Sequence, residues 1–203
     1  MIKKLWLFCF VMLTAGCTSA PASINYYHFS TSNSNHSITL SAQTIPLVLA
    51  DPVLYGAISN RGIAMKSTAT QMRNASHHLW DQPIETMLLN NAEQQLTLAL
   101  PSMFISKKRA ALPFSNQSHY YELQWEINEF NGGLNNNAEI SGLWRIVKYQ
   151  KGLAQSVELS RYFSVSVDLS QDGYSGLVMA LEAAWQQVNQ QSASTLLEVF
   201  APH

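Results

Sequence analysis

Tyr121-Glu122-Leu123-Gln124-Trp125-Glu126-Ile127-Asn128 alternates large apolar and polar side chains without a break. Successive side chains of a strand point to opposite faces, so Tyr121, Leu123, Trp125 and Ile127 share one buried face. Glu122 and Glu126 fall on the other face, which the alternation assigns to solvent. Gly132-Gly133 and Asn135-Asn136-Asn137 supply turn chemistry. Ile140, Trp144 and Ile146 then share a face of a second strand, which predicts a hairpin. Leu159, Arg161, Phe163, Val165, Val167 and Leu169 alternate as a third strand, broken at 170–173. Beyond the break, Tyr174, Leu177, Val178, Leu181, Ala184, Trp185 and Val188 follow helical spacing and form one apolar stripe. That helix continues, or restarts, through 196–200.

The N-terminal half is less regular. Residues 26–30 read as a short strand and 32–37 as a loop rich in Ser and Asn. Residues 38–49 read as a strand until Asp51-Pro52 breaks it. Residues 52–59 have room for a helical turn, and 62–70 and 70–79 resemble two further strands. Asp81-Gln82-Pro83 opens a helix that runs to about Leu98, with Asp81 as its cap and Pro83 in the first turn. Pro101 lies beyond its end, and 103–106 is a short strand. The fold class this predicts is mixed α+β: a largely antiparallel sheet packed by two main helices, in a single-domain sandwich.

The chain has 203 residues, of which 47% are apolar and only 12% charged. A typical soluble domain carries about 25% charged residues, so Asn, Gln and Ser carry much of this polar surface. The first residues are Met1-Ile2-Lys3-Lys4, followed by a nine-residue apolar run, 5–13, and then Thr14-Ala15-Gly16-Cys17. Crossing a bilayer as a helix takes roughly 20 apolar residues. The run is too short for that and fits a secretory signal with small residues at its cleavage site. A cysteine after Ala15-Gly16 resembles the lipobox of bacterial lipoproteins, although Thr14 stands where leucine is commonest. The resemblance implies that residues 1–16 are a signal peptide and that Cys17 is acylated, so the mature chain begins there. Thr18 in place of Asp implies outer-membrane sorting. Residues 17–25 then form the lipidated N-terminus and a short polar tether, and 26–203 the folded domain.

Cleaving 1–16 from 203 residues leaves 187. Two of the 12 basic residues, Lys3 and Lys4, leave with the signal, so the mature formal charge against 13 acidic residues is −3. That argues against a nucleic-acid partner, which needs a basic footprint. Cys9 lies inside the signal, so Cys17 is the only mature cysteine and no intramolecular disulfide can form.

Catalytic patterns are missing. No Gly-rich phosphate loop, Gly-x-Ser-x-Gly elbow or His-Glu-x-x-His occurs in the sequence. His77 and His78 are neighbours that point apart, so they do not share a metal. Glu122, Glu126 and Glu129 invite comparison with a carboxylate pair, but the face that holds Glu122 and Glu126 reads as solvated. Lys107-Lys108-Arg109 reads as a solvated basic loop rather than a phosphate site. No catalytic residue, metal or cofactor is assigned.

Several segments fall in a recognisable order: Tyr26-Tyr27 after the cysteine; Leu79-Trp80-Asp81-Gln82-Pro83-Ile84 entering a helix; Glu129-Phe130-Asn131-Gly132 ending a strand; Ile140-Ser141-Gly142-Leu143-Trp144; and Gln171-Asp172-Gly173-Tyr174, with Trp185 eleven residues on. In that order the chain resembles the PqiC (YmbA) family of ABC-type transport auxiliary lipoproteins. The resemblance implies an outer-membrane lipoprotein facing the periplasm and acting as a non-catalytic docking component of an intermembrane lipid-transport system. Its implied partners are a membrane-anchored MCE-domain tunnel protein, that protein's integral inner-membrane partner, and further copies in a ring. Trp80, Phe130, Asn131, Gly132, Trp144, Asp172, Gly173 and Tyr174 carry the resemblance and stand as docking or structural residues, with Asp172 as the last helix's cap. Trp125, Trp144 and Trp185 read as core anchors. Two other classes stay open: a lipid-tethered envelope hydrolase, and a lipid carrier with its own cavity.

Overall fold

The computed structural model describes residues 23–30, 45–108 and 119–200. Cys17, the signal, Arg109 and the 38–44 part of the expected early strand lie outside these residues. In chain order the elements are β1 (Asn25–Tyr27), β2 (Ile45–Leu49), β3 (Val53–Leu54), a 3₁₀ turn (Gly56–Ser59), β4 (Gly62–Thr68), β5 (Gln71–Trp80), α1 (Ile84–Ala99), β6 (Met103–Lys107), β7 (His119–Gly132), β8 (Asn137–Gln150), β9 (Ser156–Asp168) and α2 (Gly173–Val199).

The stretch that alternates most cleanly becomes the spine. β7 pairs antiparallel with β8, with Trp125 opposite Trp144, and β8 pairs antiparallel with β9. The turn between β7 and β8 uses the expected residues. Asn136 takes a left-handed φ of 55°, which Asn tolerates better than bulkier residues, and Gly133 N–H donates to the Asn137 carbonyl at 2.7 Å. A bulge falls between Ile127 and Glu129. It inserts one residue, so Ile127 and Phe130 both face the core although they are three apart. Gly142 sits opposite the bulge, where a Cβ would lie 2.1 Å from the Glu126 carbonyl oxygen.

The other edge of β7 is shared. β2, β3 and β4 all meet it in parallel, and β6 extends β2 in parallel. β5 pairs antiparallel with β4, and β1 adds to β5 in parallel. The result is one open nine-stranded sheet, mixed in direction, whose long ladders are antiparallel. α2 packs on β7, β8 and β9, and α1 packs beside α2 and against β6. One apolar cluster joins all these layers. Trp80, Trp125, Trp185 and Phe130 are its largest fully buried side chains. Each such burial is worth about 1.5–3 kcal/mol. Trp125 and Trp185 stack obliquely at 5.7 Å between sheet and helix, and the Trp185 indole N–H donates to the Leu88 carbonyl of α1 at 3.1 Å.

Three expectations need correction. Glu122 is not solvated: it is 1% exposed, and its carboxylate accepts from the Lys108 ammonium at 3.1 Å and from Gln124 at 2.8 Å. Its neighbours in register, Val48 and then Ser106, are buried too, so this end of the outer face is covered. The Lys108 ammonium is held above its ordinary range by that bond. Lys107 and Lys108 do not form a free basic loop either. Lys107 closes β6 and pairs with Glu93 at 2.9 Å. Neither aspartate caps a helix with its side chain. α1 starts after Pro83, whose carbonyl accepts from Thr86 and Met87, while Asp81 pairs with His28 at 3.3 Å. Asp172 occupies the position before α2 but makes no side-chain cap bond.

Candidate functional site

Four of the singled-out segments meet at one end of the sheet, where the N-terminal segment enters the fold. β1 runs beside β5, with Tyr27 opposite Trp80. The Tyr27 carbonyl accepts from the Asp81 N–H at 3.0 Å. The Tyr27 hydroxyl and His78 Nδ1 lie 2.8 Å apart, and the His78 ring stacks on Tyr174 at 3.8 Å. Burial, with the Tyr174 phenol nearby, pushes the Tyr27 hydroxyl above its usual pKa. Two residues on, Phe29 packs edge-on to Trp80 at 6.2 Å and against Phe130 at 6.3 Å.

The last described residue of this segment is held by a side chain that sequence reasoning missed. Glu182, buried on α2, accepts from the Ser30 N–H at 3.1 Å and from the Ser30 hydroxyl at 3.1 Å. Its position within the apolar stripe was the available signal, because a carboxylate there needs a partner. Hydrogen bonds to a charged group are worth about 1.5–3 kcal/mol. Glu182→Leu is therefore expected to free the 27–30 segment, seen as faster amide hydrogen exchange at Phe29 and Ser30 with the β7–β9 ladder still protected. Unchanged exchange at those two amides would show that the clamp is not needed.

Beside this root lies a cleft of about 110 Å³, lined by Met65, Gly132, Leu169, Gly173, Tyr174 and Leu177, among others. Gly132 brings strand and helix together. A Cβ there would lie 3.1 Å from Leu177 and 3.4 Å from Met65. Gly173 adopts a φ of +85°, a conformation natural to glycine. Gly176, one turn into α2, packs on the Gln171 backbone, where a Cβ would sit 1.8 Å from its carbonyl oxygen. Sequence reasoning did not single out Gly176.

The expected site residues thus divide. Trp80, Phe130, Asn131 and Trp144 are each 2% exposed or less and present nothing to a partner in this conformation. Trp144 lies in the middle of the sheet, opposite Trp125, away from the cleft. Asp172 and Gly173 are exposed and Tyr174 is half-buried, and Leu134 stands exposed on the adjoining turn.

Several charged side chains of the outer face are paired with each other. Lys66 bridges Glu129, at 2.7 Å, and Glu139, and Ser141 donates to Glu129 at 2.7 Å. These bonds hold the Glu129 carboxyl below its ordinary range and the Lys66 ammonium above its own. Glu126 pairs with Arg145 at 2.8 Å. Each of Glu122, Glu126 and Glu129 is therefore paired with a cation, Glu129 sharing Lys66 with Glu139. Among the described residues no cluster of His, Cys, Asp and Glu could hold a metal ion. His77 and His78 do point apart: His78 joins the aromatic cluster and His77 is exposed. Among the same residues no helix is long and apolar enough to cross a membrane.

Two solved structures share this architecture. One, described only as an uncharacterized protein, is 20% identical with a TM-score of 0.67, covering 86% of this chain and 99% of the other. A protein from Xanthomonas campestris is 17% identical with a TM-score of 0.62, covering 87% and 95%. At these identities the likeness is one of fold. No curated protein matches the sequence. The family model of the ABC-type transport auxiliary lipoprotein component matches residues 27–193, from β1 into the C-terminal part of α2. That span takes in the root, the cleft and every segment that meets there, and the chain belongs to the ABC-type transport auxiliary lipoprotein family.

Proposed function

We propose that this protein is an outer-membrane-anchored, periplasm-facing docking component of an MCE-type intermembrane lipid-transport system, and that it is not itself an enzyme. The observation that carries the proposal is the family match across nearly the whole folded part, beginning ten positions after a cysteine in lipobox context. Acylation of Cys17 would fix the chain to the membrane, since more than one acyl chain gives stable attachment. The β1 root passes that attachment into a rigid domain through Tyr27, Phe29 and Ser30. The rim of the cleft, with Leu134 and Asp172 exposed and Tyr174 half-buried, is the surface offered to the end of the tunnel protein. Self-association into a ring around that end belongs to the same proposal. Trp80, Phe130, Asn131 and Trp144 act by shaping the domain and do not touch the partner.

The test is anchoring with function. Cys17→Ala is expected to leave the outer-membrane fraction and to lose complementation of an envelope-permeability defect in a deletion strain. Full complementation by a Cys17→Ala protein that still sediments with the outer membrane would contradict the anchor.

A further inference from the structure

We infer that the outer face of the β1–β5 edge, built from Ile24, Tyr26, Leu79 and Arg61, rests on the lipid bilayer at its headgroup boundary. This rests on the Cys17 anchor proposed above. Ile24 lies seven positions after Cys17, and at most about 3.6 Å per step lets the two be no more than about 25 Å apart. The domain is longer than that. α2 has 27 residues, about 40 Å at 1.5 Å each. Phe130 lies at the level of the root, and from there β7 runs back to His119, roughly 35 Å of strand. The tip that carries Leu153 is therefore far from the bilayer when the root is near it. The anchor selects the β1 end as the surface facing lipid.

That end carries side chains suited to a bilayer boundary. Ile24 is 51% exposed and Tyr26 is 53% exposed. Tyr26 is in register with Leu79. Tyr27 and His78 point to Tyr174 on the helix side, so the alternation of the strands puts Tyr26 and Leu79 on the opposite face. Arg61 lies over the Tyr26 ring, its guanidinium carbon 5.1 Å from the centroid, and its Nε–H donates to the Trp80 carbonyl at 3.1 Å. A tyrosine and an arginine with an apolar stem are amphipathic and favour the headgroup level, and the aliphatic Ile24 adds apolar surface beside them. The cleft opens on the helix side, so membrane contact and partner contact use different faces. One cation on a chain of mature charge −3 gives little electrostatic attraction. The contact is therefore expected in zwitterionic vesicles and to persist in high salt.

The test uses the full acylated chain reconstituted in phosphatidylcholine vesicles containing brominated lipid. Acylation blocks Cys17, so one introduced cysteine can be labelled with a fluorophore. His77→Cys places the label beside the patch, and Leu153→Cys places it on the distant turn. Quenching at position 77 is expected to exceed that at 153 by at least about twofold, as for an interfacial group, at low and high salt alike. Ile24→Ser with Tyr26→Ser is expected to remove the difference while circular dichroism and vesicle flotation stay unchanged. If the chain floats with the vesicles and carries its acyl groups, yet position 77 is quenched no more than 153, the patch is overturned and the anchor stands. Protection of position 77 together with a crosslink to a second copy, without quenching, also overturns it. If the chain neither floats nor carries lipid on Cys17, the anchor fails, and this inference with it.

Discussion

Trp185→Ala is expected to lower the stability of the mature domain by about 3–5 kcal/mol, the range for a large buried aromatic cut to a methyl group. Trp185 is fully buried, lies 5.7 Å from Trp125, and its N–H reaches across to the Leu88 carbonyl of the other helix. It is therefore the joint of sheet, α2 and α1, and its loss leaves a void that rigid strands on one side cannot close. A domain is typically stable by about 5–15 kcal/mol, so the change is a large share of the total. In urea the midpoint should fall by roughly 2 M at a slope of about 2 kcal/mol per molar. Trp185→Phe keeps most of the volume and should cost less, mainly the loss of one buried hydrogen bond, about 1 kcal/mol. Equal midpoints for wild type and Trp185→Ala would show that the joint is not where the fold is held.

Gly142→Ala is expected to be nearly as damaging, although it adds only a methyl group. The new Cβ would lie 2.1 Å from the Glu126 carbonyl oxygen and 2.8 Å from the Phe163 ring. The carbonyl belongs to backbone at the β7 bulge, so relief requires opening the β7–β8 pairing. Overpacking typically costs 1–3 kcal/mol, and a backbone collision belongs at the upper end, about 3 kcal/mol or more. Gly152→Ala is the comparison. Nothing lies within 4 Å of its Cβ position, but its φ is +79°, so only conformational strain remains, about 1–2 kcal/mol. Thermal melting of the two variants should therefore separate them, with Gly142→Ala lower. The reverse order would show that the bulge accommodates a side chain there.

Local patterns carried much of this fold. The alternation through Tyr121 and Ile127, the Asn-rich turn and the stripe from Leu177 to Val188 depend on neighbours in sequence, and those elements stand where they were expected. What was not legible is non-local. β2 finds partners in β6 and β7, more than fifty residues away, and periodicity holds no information on whether such a pairing is parallel. The solvated reading of Glu122 fails for the same reason. Alternation says which face a side chain takes, but only the tertiary fold says whether that face is covered. The candidate site was legible as a set of segments and not as a set of contacts. Phe130, Asn131 and Trp80 carry the resemblance yet lie under the surface, whereas Glu182, Leu134 and Gly176, which the resemblance does not mark, occupy the clamp, the rim and the close packing at the start of α2.

The docking role is tested most directly by photocrosslinking in living cells from Leu134 and from Asp172, with the captured protein identified by mass spectrometry. His77, on the opposite face, serves as the comparison position. Both rim positions are expected to capture an MCE-domain protein, and His77 is expected not to. Crosslinks from the rim that never include an MCE-domain protein, in cells where that protein is present and the anchored chain is functional, would contradict the proposed function.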